Sequence, residues 1–273
     1  MQSITGSETE HTVRKTATLL GGFAAAAMAL AVAPAAGATS APDEPNTMIV
    51  GGDQANESYE WMASLQQNGK HFCGASLIDE QWALTAAHCV QEVSADELQL
   101  RIGSSDHTTG GTVTGVDSIT AHPDYATEAP QGDIALVKLD QAVEQQPVEL
   151  AQQAGQAGTP TSIIGWGLTC RTRGCGQPPE QLQQLDTKLV SDLQCTLGSV
   201  DGATELCTGS EELLSNACFG DSGGPQLRGE PGNWKLIGVT SRLGSPVPAC
   251  GTAPSVYTDA TAYGDWIRSH TQG

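Results

Sequence analysis

The chain has 273 residues, of which 38% are apolar and only 4% aromatic, and its formal net charge is −19. That length buries a sizeable core, in one large domain or two small ones. Twelve Lys and Arg against 31 Asp and Glu argue against nucleic acid as the main partner and against docking on anionic lipid. Charged residues are 16% of the chain, too few for a disordered polyelectrolyte, and 32 glycines point to many turns.

Arg14 and Lys15 precede an alanine-rich apolar run over 17–33, which Pro34 closes and Ala36-Gly37-Ala38 follows. This is the order of a secretory signal peptide, with cleavage expected after Ala38. As a membrane span the run is short, weakly hydrophobic and broken by Gly21-Gly22. A single Arg argues against a twin-arginine signal. Residues 39–48, rich in Pro and acid, read as a linker. The expected organisation is a signal peptide over 1–38, a propeptide over 39–48 and one domain over 49–273. That domain carries ten Lys and Arg against 27 Asp and Glu, so the acidity belongs to it. The mature protein is expected to be soluble, exported and extracellular, with no membrane attachment once the signal is removed.

Strand-like runs are short and separated by Gly-rich and polar turns: 61–66, 71–78, 98–102, 134–139, 161–164, 234–241 and 255–258. Such a pattern predicts an all-β barrel or sandwich. One helix is expected at the end, capped by Asp259, with Tyr263, Trp266 and Ile267 on one apolar stripe. Eight cysteines, an even number, suit a disulfide framework in an oxidising compartment. Cys170 and Cys175 are the one closely spaced pair and no second pair faces them, so a zinc site is not expected.

Three segments carry chemistry. Leu84-Thr85-Ala86-Ala87-His88-Cys89 sets a histidine among small residues that allow a close packed wall. Gly132-Asp133-Ile134-Ala135-Leu136-Val137 opens an apolar run with an aspartate. Gly220-Asp221-Ser222-Gly223-Gly224-Pro225 surrounds one serine with glycines, which permits a tight turn offering backbone N–H groups to a common point. Taken singly, these are a structural histidine, a turn or cap aspartate and an ordinary Gly-rich turn.

Together, in the order His, Asp, Ser, they resemble the trypsin/chymotrypsin family of serine proteases. The resemblance extends over nearly all of 49–273 and takes in Ile49-Val50-Gly51-Gly52, Gly165-Trp166-Gly167 and the terminal helix. The leader, short propeptide and compact domain look like exported bacterial members. The resemblance implies a chymotrypsin-like fold of two six-stranded antiparallel β-barrels with a C-terminal helix. It implies that Ser222 is the nucleophile, His88 the general base and acid, and Asp133 the group that fixes the His88 tautomer. The N–H groups of Gly220 and Ser222 would hold the oxyanion. No cofactor and no metal is implied. Activity is expected to fall in acid, because the base form of His88 is required.

The same likeness implies a zymogen cut before Ile49, whose new amine pairs with Asp221. Met48 precedes the cut where many relatives carry Arg or Lys, which disfavours a trypsin-like activator and raises self-activation. The implied disulfides are Cys73–Cys89, Cys195–Cys207 and Cys218–Cys250, with Cys170–Cys175 remaining across a small loop.

For specificity, the resemblance places Asn216 at the base of the pocket, followed by Ala217. An aspartate there would neutralise a substrate Arg or Lys, and Asn216 has no charge, so a neutral residue before the cut is expected. Ser241-Arg242-Leu243 matches the segment that pairs with substrate backbone. Arg242 stands where an aromatic is common and either favours substrate acids or lies along the surface. Ser255 and Leu243 are expected to narrow the pocket, which leaves methionine or leucine as the preferred side chain. The region 103–115 supplies only Asp106, so no calcium site is expected. His71, His107, His122 and His270 read as scattered structural or solvated residues.

The reading is a secreted serine endopeptidase, monomeric, acting on proteins or peptides and open to proteinaceous inhibitors. Its alternatives are Arg/Lys specificity and a protease-fold binding module without activity.

Overall fold

The computed structural model describes residues 49–126, 131–212 and 214–272. The signal peptide and propeptide expected over 1–48 lie outside them. Fourteen strands follow in chain order. Two-residue β1 (Asp53–Gln54) precedes β2 (Met62–Gln67), β3 (Lys70–Asp79), β4 (Trp82–Thr85), β5 (Leu98–Ile102), β6 (Thr112–Ala121) and β7 (Ala135–Leu139). After two-residue β8 (Glu149–Leu150) come β9 (Pro160–Gly165), β10 (Gln183–Leu189), β11 (Glu205–Gly209), β12 (Pro225–Arg228), β13 (Lys235–Leu243) and β14 (Ser255–Asp259). Helix α1 is a single turn, Ala87–Val90, and α2 is Gly264–Thr271.

The first barrel closes in the order β2-β3-β4-β7-β6-β5, every pairing antiparallel. The second closes through β9-β10-β11-β14-β13-β12, because β9 pairs with both β10 and β12. This is the expected pair of six-stranded antiparallel barrels. Period-2 alternation builds the walls: β5 buries Leu98, Leu100 and Ile102 and turns Gln99 and Arg101 outward. In β2 both faces are buried, Ala63 and Leu65 among the apolar core and Ser64 and Gln66 on the other side.

The ends of the elements differ from expectation by a residue or two. Asp259 does not cap α2. Its carboxylate accepts from the Thr261 N–H, at 2.8 Å, and from the Thr261 hydroxyl, which closes a turn before the helix begins. Of the expected stripe, Tyr263, just before α2, and Ile267 are buried, and Trp266 is half-buried against the core. Among the described residues no helix is long and apolar enough to cross a membrane. The four disulfides among the described residues are Cys73–Cys89, Cys170–Cys175, Cys195–Cys207 and Cys218–Cys250.

Two close approaches hold the barrels together near the glycine-flanked serine. The Gly74 N–H of β3 donates to the Ser222 carbonyl at 2.7 Å, and the Thr258 hydroxyl of β14 donates to the Asp133 carbonyl at 2.8 Å. Residues from the first barrel and its flanks are thereby fixed against the second.

Candidate active site

His88 lies in the turn α1, whose first N–H groups have no partner within so short a helix. Asp133 supplies one. Its Oδ1 accepts the His88 backbone N–H at 3.0 Å, and its Oδ2 accepts from His88 Nδ1 at 2.8 Å. One carboxylate thus grips the backbone and the ring of the same residue. Asp133 is 2% exposed, whereas the His88 side chain is 32% exposed, and His88 Nε2 lies 3.6 Å from the Cys89 sulfur. Ser241 donates its hydroxyl to Asp133 Oδ2 at 2.6 Å. The strand register explains why it can: Thr240 and Arg242 of β13 face consecutive residues of β14, so Ser241 is the extra residue of a β-bulge.

Ser222 and His88 line the same cavity, of about 240 Å³, together with Arg173, Ala217, Phe219 and Ser255. Thr240 to Leu243 form its remaining wall. Gly220 has φ +105°, a conformation for which glycine is suited. Neither the Gly220 nor the Ser222 N–H has a hydrogen-bond partner among the described residues. Two adjacent, uncommitted donors of this kind suit a developing negative charge.

Asp221 points away from the cavity. Its Oδ1 accepts the Gly167 N–H and its Oδ2 the Cys218 N–H, both at 2.8 Å. A Cβ on Gly165 or Gly167 would collide with this carboxylate, which accounts for both glycines of Gly165-Trp166-Gly167. Burial pushes the Asp221 carboxyl up to about 6, against the two amide bonds that favour its charged form. Ile49 is fully buried with Ile163, Leu185, Ala217 and Tyr257.

The expected pocket needs two corrections. Asn216 is not part of the lining around Ser222. Its amide donates to the Thr208 and Ala253 carbonyls, its oxygen accepts the Ala217 N–H, and it borders a separate cavity of about 560 Å³. Three bonds hold its carboxamide in place, leaving Ala217 and Ser255 at the substrate side. Arg242 is not free to receive a substrate acid. Its guanidinium binds both carboxylate oxygens of buried Glu205, at 2.5 and 2.9 Å, and donates to the Gly198 and Ser199 carbonyls. Its contribution to the cavity is therefore steric. Arg242→Ala leaves the Glu205 charge buried without its cation, with the Asp201 N–H still donating to it at 2.8 Å. The expected result is a loss of about 3 kcal/mol, the low end for a buried pair because the Asp201 N–H remains, or roughly 6–12 °C in Tm, read by calorimetry.

The histidines read as scattered are not. His71 and His107 lie 5.3 Å apart between ring centroids, and both pack on Trp166. Gln66 donates to Ser64, Ser64 to His71 Nδ1 at 2.9 Å, and His71 Nε2 to the Gly220 carbonyl at 3.0 Å. Burial, then the neighbouring His107, lowers His71 to about 4 and keeps it neutral, and the Gly220 carbonyl, which only accepts, fixes the proton on Nε2. His71 therefore orients the Gly220–Asp221 peptide. Likewise His122 and His270 both pack on Trp266.

Cys73, His88 and Cys89 place ligand-type atoms within 4.8 Å of one another, but both sulfurs are spent in a disulfide and neither is a thiolate. The Asp106 carboxylate is taken up by Thr108 and Gln181.

The sequence model of the family described as Trypsin matches residues 49–267. The chain belongs to the trypsin family. Trypsin delta of Drosophila melanogaster is 35% identical over 233 residues, covering 81% of this chain and 88% of that protein. Trypsin of Sarcophaga bullata is 32% identical over 237 residues, covering 83% and 90%. These relatives are insect proteins and lend no support to the bacterial type expected from the leader. Among solved structures, human heparin binding protein superposes with a TM-score of 0.70 at 24% identity, over 82% of this chain and 97% of that one, which bears on the fold. The trypsin-family chain is thus a serine endopeptidase, a hydrolase of proteins and peptides.

Proposed function

We propose that this trypsin-family protein is a secreted zymogen that cleaves after neutral side chains through His88, Asp133 and Ser222. The observation that carries the reading is the Asp133-gripped His88 sharing one cavity with Ser222, whose N–H, like that of nearby Gly220, has no partner among the described residues. Ser222 Oγ attacks the scissile carbonyl and its proton passes to His88 Nε2. A C–O bond forms, and the oxyanion is met by the two amides. The proton then goes to the leaving amine as the C–N bond breaks, and water repeats the sequence on the acyl-enzyme.

Secretion is supported by four disulfides, which persist in oxidising compartments, and by the leader. Activation before Ile49 is supported by two features. Asp221 is a buried carboxylate without a cation among the described residues. Ile49 has φ +27°, a value that a β-branched residue rarely adopts. Cutting the Met48–Ile49 bond frees that torsion and creates an amine. A Ser222→Ala precursor expressed alone is expected to keep its propeptide if activation is autocatalytic. N-terminal sequencing of active protein is expected to begin at Ile49, and another start overturns this site of activation.

A neutral preference is supported by a cavity lined by no carboxylate and by two arginines. The names of the relatives favour a second reading, cleavage after Arg or Lys. A mixed peptide library read by mass spectrometry, beside a Ser222→Ala control, separates them. Leu or Met is expected to exceed Arg by about tenfold to a hundredfold in kcat/KM. Cleavage chiefly after Arg or Lys overturns the neutral pocket. A serine-directed phosphonate that fails to label Ser222 would favour a binding module instead.

A further inference from the structure

Arg173 is an exposed cation at the mouth of the Ser222 cavity, and among the described residues it has no ion pair and no hydrogen bond. Its neighbours are committed: Arg242 to Glu205, and Arg171 to the Cys250 carbonyl at 3.0 Å. Its guanidinium carbon stands 4.0 Å over the Phe219 ring. A guanidinium carries its N–H donors in its own plane as a fork that matches a carboxylate, and a phenyl ring beside it holds the cation without taking up that fork.

The loop that carries it is anchored. Cys170–Cys175 closes it, and the Cys250 N–H donates back to the Arg171 carbonyl at 2.8 Å. Cys250 is in turn tied to Cys218, the residue before Phe219. Cation and ring thus sit on two segments that share one tether, beside Gly220 and Ser222. No carboxylate lines the cavity to compete for the fork, in a domain where acids outnumber bases by 27 to ten.

We propose that Arg173 is a specificity determinant that receives a substrate carboxylate within two residues of the scissile bond. This rests on the endopeptidase reading above. The bond formed is charge-assisted and two-pronged, which makes it selective for Glu or Asp over the amide of the same shape.

The test uses matched peptides with Glu or Gln at the second residue before the scissile bond, or at the first or second residue after it. One series has Leu and one has Arg before the cut. The full domain is expected to favour Glu at one of these positions by about fivefold to thirtyfold in kcat/KM. Arg173→Ala is expected to bring that ratio to about one, Arg173→Lys to an intermediate value, and Arg173→Glu to a preference for Gln. Repulsion from the acidic surface is common to all four proteins and cancels in the comparison. A parent ratio at or below one at every position, or a ratio unmoved in Arg173→Glu, overturns the proposal while leaving the protease reading intact. Failure to cut either series overturns both.

Discussion

Replacing Asp133 with asparagine is expected to lower kcat about ten-thousandfold with the fold retained, the magnitude such a change has in a triad of this kind. The reason lies in the three donors that converge on Asp133: the His88 N–H, the His88 ring and the Ser241 hydroxyl. A carboxylate accepts from all three, whereas a carboxamide has one accepting oxygen and one donating nitrogen. Turning the oxygen toward the ring sets the NH2 against the His88 N–H, donor against donor. The tolerable arrangement puts the oxygen on the backbone N–H and the NH2 on Nδ1. The ring proton is then forced to Nε2, where Ser222 needs an acceptor. The base is lost although every residue stays in place. Steady-state kinetics on the preferred peptide, with Tm from calorimetry, check this. A loss below about a hundredfold with Tm unchanged would mean that Asp133 does not set the tautomer.

What could be read from the sequence follows physical signal. The runs 98–102 and 134–139 announce themselves because their apolar residues face one core, and both are strands within a residue of expectation. Strand β6 does not. Its sequence TVTGVDSITA is mostly half-exposed and interrupted by Gly115 and Asp117, so it carries little apolar pattern and is held by its neighbours β5 and β7. The site divides in the same way. His88, Asp133 and Ser222 stand in short motifs, and the structure brings His88 and Asp133 into contact and His88 and Ser222 to one cavity. The residues that orient them have no local signature. Ser64 and His71 meet across the neighbouring strands β2 and β3, and His71 reaches Gly220, 149 positions away, only through the meeting of the two barrels. Arg242 illustrates the limit most directly. A lone arginine near a pocket reads equally as anion receptor or surface residue, and its partner Glu205, 37 positions earlier, decides that it is neither.

Asp221→Asn is expected to change stability with opposite sign before and after cleavage at Ile49. In the uncut chain the native carboxyl holds its proton up to about pH 6, against an ordinary value of 3.8 when unfolded. Between these values the native state binds a proton that the unfolded chain has lost. Stability therefore falls as pH rises through this window, by about 3 kcal/mol in total. Asparagine cannot titrate and keeps an oxygen for one of the amides of Gly167 and Cys218. In an uncut Ser222→Ala background, Asp221→Asn sets its NH2 against one of these two buried amides and is expected to cost about 1–3 kcal/mol at pH 4, whereas at pH 7 removal of the buried charge, about 3 kcal/mol, offsets that loss and leaves the variant as stable or more stable by up to about 2 kcal/mol. In the cut chain the Ile49 ammonium is expected to need Asp221 as its counter-charge. Asparagine then strands that ammonium in the interior, at a cost of about 3–5 kcal/mol, and the Gly220–Ser222 turn loses its anchor. Denaturant unfolding of both forms at pH 4 and pH 7 measures the four differences. The same sign in cut and uncut protein at pH 7 would rule out an ion pair between Ile49 and Asp221. Opposite signs would mean that one buried carboxylate destabilises the precursor and secures the product, which gives activation a thermodynamic direction.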